Sequence, residues 1–154
     1  MRVAIFTTIL LTTFSPVLAQ ERQWTLDVSE REAFLVFGVP DTDDVGFSFW
    51  CDIGKSKISI FAPVAHTALK QNKRLHIDLA IDDEKFNIIA KASSTPGTQD
   101  SSVEALVAID GTVMKAVGQA QTITVKVANH TTSYPLGDAD IKGLLRVCSG
   151  ELSN

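Results

Sequence analysis

The residue types that most often carry chemistry in proteins are few and scattered in this chain. The three histidines, His66, His76 and His130, fall in segments that the pattern predicts to be a loop, a strand and a turn. No His-x-x-x-His or Cys-x-x-Cys spacing is present, and no Gly-x-Ser-x-Gly motif places a serine nucleophile at a strand–helix turn. The sequence therefore predicts no catalytic residue, no metal site and no cofactor.

The two cysteines, Cys51 and Cys148, are more informative than the histidines. An even number of cysteines in an exported chain favours a disulfide, because oxidising compartments allow the bond to persist. Two cysteines permit a single intramolecular pairing, and two buried, unbonded thiols are the alternative. We expect a Cys51–Cys148 disulfide, which would also consume the thiol nucleophiles of the chain.

The N-terminus has the organisation of an export signal. Arg2 supplies one positive charge, an uncharged apolar stretch follows, and Ser15-Pro16 ends it before Val17-Leu18-Ala19. Signal peptidases read small residues at these positions, so we expect residues 1–19 to be removed and the mature chain to begin at Gln20. A membrane anchor needs about 20 predominantly apolar residues, and the threonines of this stretch argue against one. The sequence predicts a periplasmic or secreted protein that does not span a membrane.

Length and charge restrict the remaining residues further. Residues 20–154 are enough for a single domain with its own core. The whole chain has 18 acidic against 14 basic residues and a net charge of −4, and removal of Arg2 makes the mature chain more negative. The charges are dispersed along the sequence, without the basic stretch typical of nucleic-acid binding. We therefore expect a protein or an envelope component as the partner, and no nucleic acid.

Apolar and polar residues alternate with a period of two through most of the mature chain, which indicates half-buried strands. The segments predicted to be strands are 24–28, 45–51, 57–61, 74–81, 85–90, 103–109 and 122–127, together with 33–37, which is a short continuous apolar run closed by Gly38. Strands do not alternate with helices, which argues against a parallel sheet. The sequence predicts a mainly β domain, an antiparallel β-sandwich or barrel of about seven to eight strands.

The period changes near the C-terminus. From Asp138 onward, the apolar residues and Cys148 recur at the spacing of one helical face, with Asp138 as a candidate N-cap and Gly150 as a stop signal. The domain should therefore end in an α-helix whose Cys148 faces the sheet. The segment 112–120 is compatible with either a short helix or irregular structure.

Four residues are candidates for a binding surface. The alternation of residues 45–51 turns Trp50 away from the face expected to be buried, and an exposed tryptophan is a common anchor in binding surfaces. Arg74, His76 and Asp78 share the polar face of the clearest strand. The alternatives are a Trp50 packed beneath a loop or against the terminal helix, and a solvated, charge-paired ladder at the other three positions.

The runs Phe37-Gly38-Val39-Pro40-Asp41 and Phe47-Ser48-Phe49-Trp50-Cys51 follow a Trp-bearing strand, and a cysteine-bearing helix ends the chain. This arrangement resembles small exported, periplasmic proteins of Gram-negative bacteria that have no known activity. The resemblance covers the N-terminal third and the final helix, and it implies no activity, cofactor or catalytic residue.

Three functions are compatible with these features. The first is a non-catalytic secreted or periplasmic binding domain, or an envelope-associated one, because export, a disulfide and a β-rich pattern occur without a catalytic motif. The second is an inhibitor or immunity-type protein that blocks a hydrolase with loop 40–44 or loop 93–102. The third is a small hydrolase or metalloenzyme.

Overall fold

The computed structural model describes residues 21–151. The predicted signal peptide, its cleavage point before Gln20 and residues 152–154 lie outside this range. The strands are β1 (Gln23–Val28), β2 (Glu32–Gly38), β3 (Val45–Asp52), β4 (Lys57–Val64), β5 (Arg74–Ile81), β6 (Glu84–Ser94), β7 (Ser101–Ala108), β8 (Thr122–Val127) and β9 (His130–Pro135). The helices are α1 (Thr112–Val117) and α2 (Ile141–Cys148).

All nine strands belong to one antiparallel sheet with the order β1-β2-β3-β4-β7-β6-β5-β8-β9, which forms a half-barrel. The prediction of a mainly β, antiparallel domain with a C-terminal helix is confirmed. The predicted number of strands, seven to eight, was too low. The predicted sandwich is not what the strand pairing shows, because β4 pairs with β7 and β5 pairs with both β6 and β8, so the ladder continues unbroken from β1 to β9.

The strand missing from the sequence prediction is β9. In its register with β8, Val127 lies opposite His130 at one end and Thr122 lies opposite Pro135 at the other. His130 therefore begins a strand instead of lying in a turn. The strand is rich in threonine and serine, and Tyr134 is its only buried residue, so it lacks the apolar pattern that marked the other eight. The hairpin bends at Ala128, which has a φ of 52°.

The core lies on the inner face of the curved sheet. Phe47, Phe49 and Ile58 are fully buried there, and the helices contribute Met114 and Leu144, which are also fully buried. Burying a side chain of this size stabilises a fold by about 1.5–3 kcal/mol, so the alternation along each strand decides which face turns inward. The ambiguous segment 112–120 thus contains a short helix that covers part of this face.

An aromatic cluster links the two edge strands. The Trp24 indole N–H of β1 donates a hydrogen bond of 2.6 Å to the Pro135 carbonyl of β9. The Tyr134 ring stacks on Phe47 with 4.7 Å between centroids, and Trp24 contacts Phe49 at 6.0 Å. The first and last strands therefore approach each other at this end through side chains.

Helix α2 is attached to the sheet by the predicted Cys51–Cys148 disulfide, which is confirmed, with 5.9 Å between the Cα atoms. The Gly54 N–H also donates to the Cys148 carbonyl at 2.9 Å. The predicted N-cap was wrong: Asp140, two residues later than predicted, accepts the hydrogen bond of the Gly143 N–H at 2.9 Å. In residues 21–151, neither α1 nor α2 has the length and apolar character needed to cross a bilayer.

Candidate binding face

Trp50 lies on the outer face of β3, opposite Phe34 of β2, and is partly exposed. The two rings are nearly parallel, at 18°, with 5.9 Å between their centroids. Helix α2 is on the other side of the sheet, because it is bonded to the inward-facing Cys51. Trp50 is therefore part of an aromatic pair on the outer face and does not pack against the terminal helix.

The neighbours of this pair across the sheet extend its apolar surface. In register, Trp50 lies opposite Ser59 of β4, and Ser59 lies opposite Leu106 of β7. Leu106 is 63% exposed, the largest value among the large hydrophobic residues of the described range. We call the outward apolar residues of these strands the apolar band: Phe34, Val36, Trp50, Phe61 and Leu106.

Two serines show that the apolar band is continuous. Ser48 and Ser59 point outward, yet they are only 7% and 2% exposed. Each lies in register between two members of the apolar band, Ser59 between Trp50 and Leu106. The larger neighbours shield these serines, so the surface that a partner meets here is apolar.

Carboxylates surround the apolar band. The outward charged residues of β1, β2, β3, β4 and β7 are Asp27, Glu32, Asp52, Glu104 and Lys57. Asp27 lies directly opposite Phe34, and Glu104 lies opposite Phe61. This half of the outer face is therefore apolar at its centre and acidic at its margin.

Arg74, His76 and Asp78 lie on the exposed face of β5, as the alternation of this strand predicts. Asn87 of β6 connects two of them: its Oδ1 pairs with His76 Nδ1 at 2.6 Å, and its Nδ2 donates to Asp78 Oδ1 at 2.6 Å. Arg74 lies opposite Lys91 of β6. The result is a fixed polar ladder rather than a set of independent solvated side chains.

The structure does not bring Trp50 together with Arg74, His76 and Asp78. Strands β4, β7 and β6 lie between β3 and β5. Four strand spacings of about 4.8 Å separate the two sets by roughly 19 Å along the sheet. The four candidates therefore belong to two surfaces. Sequence reasoning missed the partners Phe34 and Leu106, because only the strand register places them beside Trp50.

The side chains that could hold a metal ion are not grouped. Within residues 21–151, no cluster of three or more His, Cys, Asp or Glu side chains has a geometry suited to a cation. One carboxylate of the acidic loop 40–44 is already paired within the protein, because Asp44 forms a two-pronged ion pair with Arg22 at 2.6 and 3.1 Å.

No protein-family model, curated protein or solved structure matches this chain, so its function has to be argued from the outer face itself.

Proposed function

We propose that this chain is an exported, non-catalytic binding domain that docks a protein partner in the cell envelope through the apolar band. The observation that carries the proposal is the exposure of Leu106 beside the Phe34–Trp50 pair on the outer face of the sheet. The solvated face of an antiparallel sheet is normally polar. A contiguous apolar patch with a polar margin is typical of a protein-interaction site, and tryptophan is a frequent anchor there.

The charges at the margin of the apolar band indicate which charge the partner should carry. Four carboxylates, Asp27, Glu32, Asp52 and Glu104, surround the apolar band, against the single cation Lys57. A complementary partner would present an apolar centre with basic residues around it, since opposite potentials steer association and like charges oppose it. A second copy of this chain that docks symmetrically through the same apolar band fits poorly, because two acidic margins would face each other.

Export and the disulfide support an envelope location. A disulfide persists in the periplasm or outside the cell, where thiols are not kept reduced. The apolar N-terminal segment ends in Val17-Leu18-Ala19, the pattern of a cleaved signal peptide. We infer that the mature protein begins at Gln20 and meets its partner in the periplasm or after secretion.

A matched pair of substitutions tests the role of the apolar band. Leu106→Asp places a charge in the band, and Ile89→Asp makes the same change at a residue that is 58% exposed on the far half of the sheet. We expect the immobilised wild-type protein and the Ile89→Asp variant to retain the same envelope protein, and Leu106→Asp and Trp50→Ala to lose it. The affinity of the purified partner should then fall at least tenfold, about 1.4 kcal/mol, for the band variants alone.

Equal retention of the partner by Leu106→Asp and the wild type would contradict the proposal. Proteins retained equally by Ile89→Asp and Leu106→Asp are background and do not support it. Thermal unfolding of each variant has to remain cooperative, so that a lost partner is not the result of a lost fold.

The second candidate function is inhibition of a hydrolase by loop 40–44. This loop is rigidified before any partner binds: Asp44 is paired with Arg22, and the Thr42 hydroxyl donates to the Val39 carbonyl at 2.7 Å. A preorganised loop loses little conformational entropy on binding, which favours tight inhibition. An inhibitor would recover one hydrolase in a stoichiometric complex and abolish its activity, and Thr42→Ala would weaken it while Leu106→Asp would not.

A further inference from the structure

The strand register gathers cations that are dispersed in the sequence. On the outer face of β5, β6 and β8, the charged residues are Arg74, Lys85, Lys91 and Lys126 against the single carboxylate of Asp78. We call this half of the sheet the basic half. The chain as a whole is acidic, with a net charge of −4, so this separation of charge is a product of the fold.

These cations are not neutralised by ion pairs. Within residues 21–151, the one ion pair joins Arg22 and Asp44, on a different part of the molecule. Lys126 lies opposite Asp78 in register, and Lys91 lies opposite Glu104 at the boundary with the acidic half, but neither pair is in ion-pair contact. The four charges therefore remain available to an anionic ligand.

Neutral hydrogen-bonding groups are interspersed among the cations. Asn87 is held between His76 and Asp78, and the Thr124 hydroxyl is hydrogen-bonded to the Ser133 hydroxyl at 2.7 Å. Amide and hydroxyl groups both accept from and donate to alcohol groups, an ionised carboxylate only accepts, and an ammonium group only donates. The basic half thus combines charge recognition with groups suited to hydroxyls.

The small side chain of Ala80 creates a depression in this surface. Ala80 lies between Lys85 of β6 and Thr124 of β8 in register, and these residues line an open cleft of about 500 Å³ to which Leu79 and Phe86 also contribute. Lys126 and Asn87 complete its polar margin. From Arg74 to Ala80 the strand covers about 20 Å, which suits an extended chain of linked units better than a single small molecule.

We propose that the basic half binds an acidic polysaccharide, a linear glycan whose carboxylates meet the lysines and whose hydroxyls meet Asp78, Asn87 and Thr124. This goes beyond the proposed docking of a protein on the apolar band and uses the opposite part of the sheet. A single-stranded nucleic acid fits less well, because the outward positions of β5, β6 and β8 in the described residues carry no Phe, Tyr or Trp on which a base could stack.

Binding of oligogalacturonate by titration calorimetry tests the proposal, with a neutral cello-oligosaccharide of the same length, single-stranded DNA and anionic phospholipid vesicles as the other ligands. We expect the oligogalacturonate to bind, and the neutral sugar not to. The double variant Lys85→Gln, Lys126→Gln should bind it at least tenfold more weakly, about 1.4 kcal/mol. The matched control Lys55→Gln, Lys142→Gln removes two exposed charges from elsewhere and should change the affinity by no more than about twofold.

Asp78→Ala separates glycan recognition from simple attraction of anions. Loss of this carboxylate removes a repulsive charge for both polyanions. It should strengthen DNA binding for that reason, but weaken oligogalacturonate binding, because the lost hydrogen bonds to sugar hydroxyls outweigh the relieved repulsion. Stronger binding of both ligands would overturn the proposal. So would DNA or vesicles binding the wild type as tightly as the glycan, equal losses in the lysine variant and its control, or no glycan binding.

The outcome is independent of the proposed protein partner. Leu106→Asp should leave oligogalacturonate binding unchanged, and the lysine variant should leave capture of the protein partner unchanged. Each proposal can therefore fail while the other stands.

Discussion

Removal of the Cys51–Cys148 disulfide should destabilise the domain strongly. The two cysteines are 97 residues apart, so the bond closes most of the domain into a loop. In the chain-entropy model, a loop of about 100 residues corresponds to about 4.7 kcal/mol of restriction on the unfolded chain. Because a domain is typically stable by about 5–15 kcal/mol, this is a large part of the total.

The contacts that hold α2 on the sheet determine how much of this loss of stability affects the helix itself. The helix has eight residues, too few to be stable by itself. Without the disulfide, its attachment depends on buried side chains such as Leu144 and on the hydrogen bond from Gly54 to Cys148. We expect Cys51→Ala, Cys148→Ala to lower the free energy of unfolding by about 2–5 kcal/mol and to open α2 more often than the rest of the fold.

Urea unfolding followed by tryptophan fluorescence measures the global effect. The double variant should have a lower midpoint and a larger dependence on urea, because its unfolded chain is no longer cross-linked and exposes more surface. Amide hydrogen exchange in α2 measures the local effect. The control Lys142→Ala changes an exposed position of the same helix and should alter the free energy of unfolding by no more than about 0.5 kcal/mol.

Three results would refute this reasoning. They are a change in unfolding free energy smaller than about 1 kcal/mol, an unchanged dependence on urea, and equal exchange rates in α2 for the variant and the wild type. Two free thiols in the unfolded, unreduced wild type would remove its premise.

Three further predictions concern single residues. Burial raises the pKa of Tyr134, and the Thr132 hydrogen bond and the Arg22 charge oppose that rise. The stability due to the neutral phenol is therefore fully present below the unfolded pKa of about 10 and is lost as pH rises through the folded pKa. Tyr134 is the only tyrosine, so tyrosinate absorbance should show a midpoint above about 10, and a midpoint at or below it would contradict the burial. Gly143→Ala should destabilise α2 by about 1–2 kcal/mol, because the new Cβ would overlap the Asp140 carboxylate that caps the helix, although alanine is normally the better helix former. A higher melting temperature for Gly143→Ala would show that the cap is not needed. His76→Ala should change the free energy of unfolding by no more than about 0.5 kcal/mol, since the ring is exposed, and a larger loss in urea unfolding would assign it a structural role.

The sequence by itself determined the features that depend on local period. Alternation and, for β2, a continuous apolar run identified eight of the nine strands, and the predicted bounds of β5 and β8 agree with the structure. The same phase turned Cys51 inward and Trp50 outward, and the helical spacing placed Cys148 against the sheet. These predictions succeed because the free energy gained by burying an apolar side chain exceeds the conformational preference of a single residue. The pattern of apolar residues therefore shows which face is buried.

Tertiary structure alone decided how the strands are arranged beside one another. Strand β9 has little apolar alternation and exists because β8 offers it a ladder of backbone hydrogen bonds. The place of Leu106 in the apolar band, the position of Lys126 beside the cations of β5 and β6, and the choice of one continuous sheet all follow from the pairing of β4 with β7 and of β5 with β8. Pairing joins residues far apart in the chain, and its register depends on matching two whole faces rather than on either segment, so local sequence does not encode it.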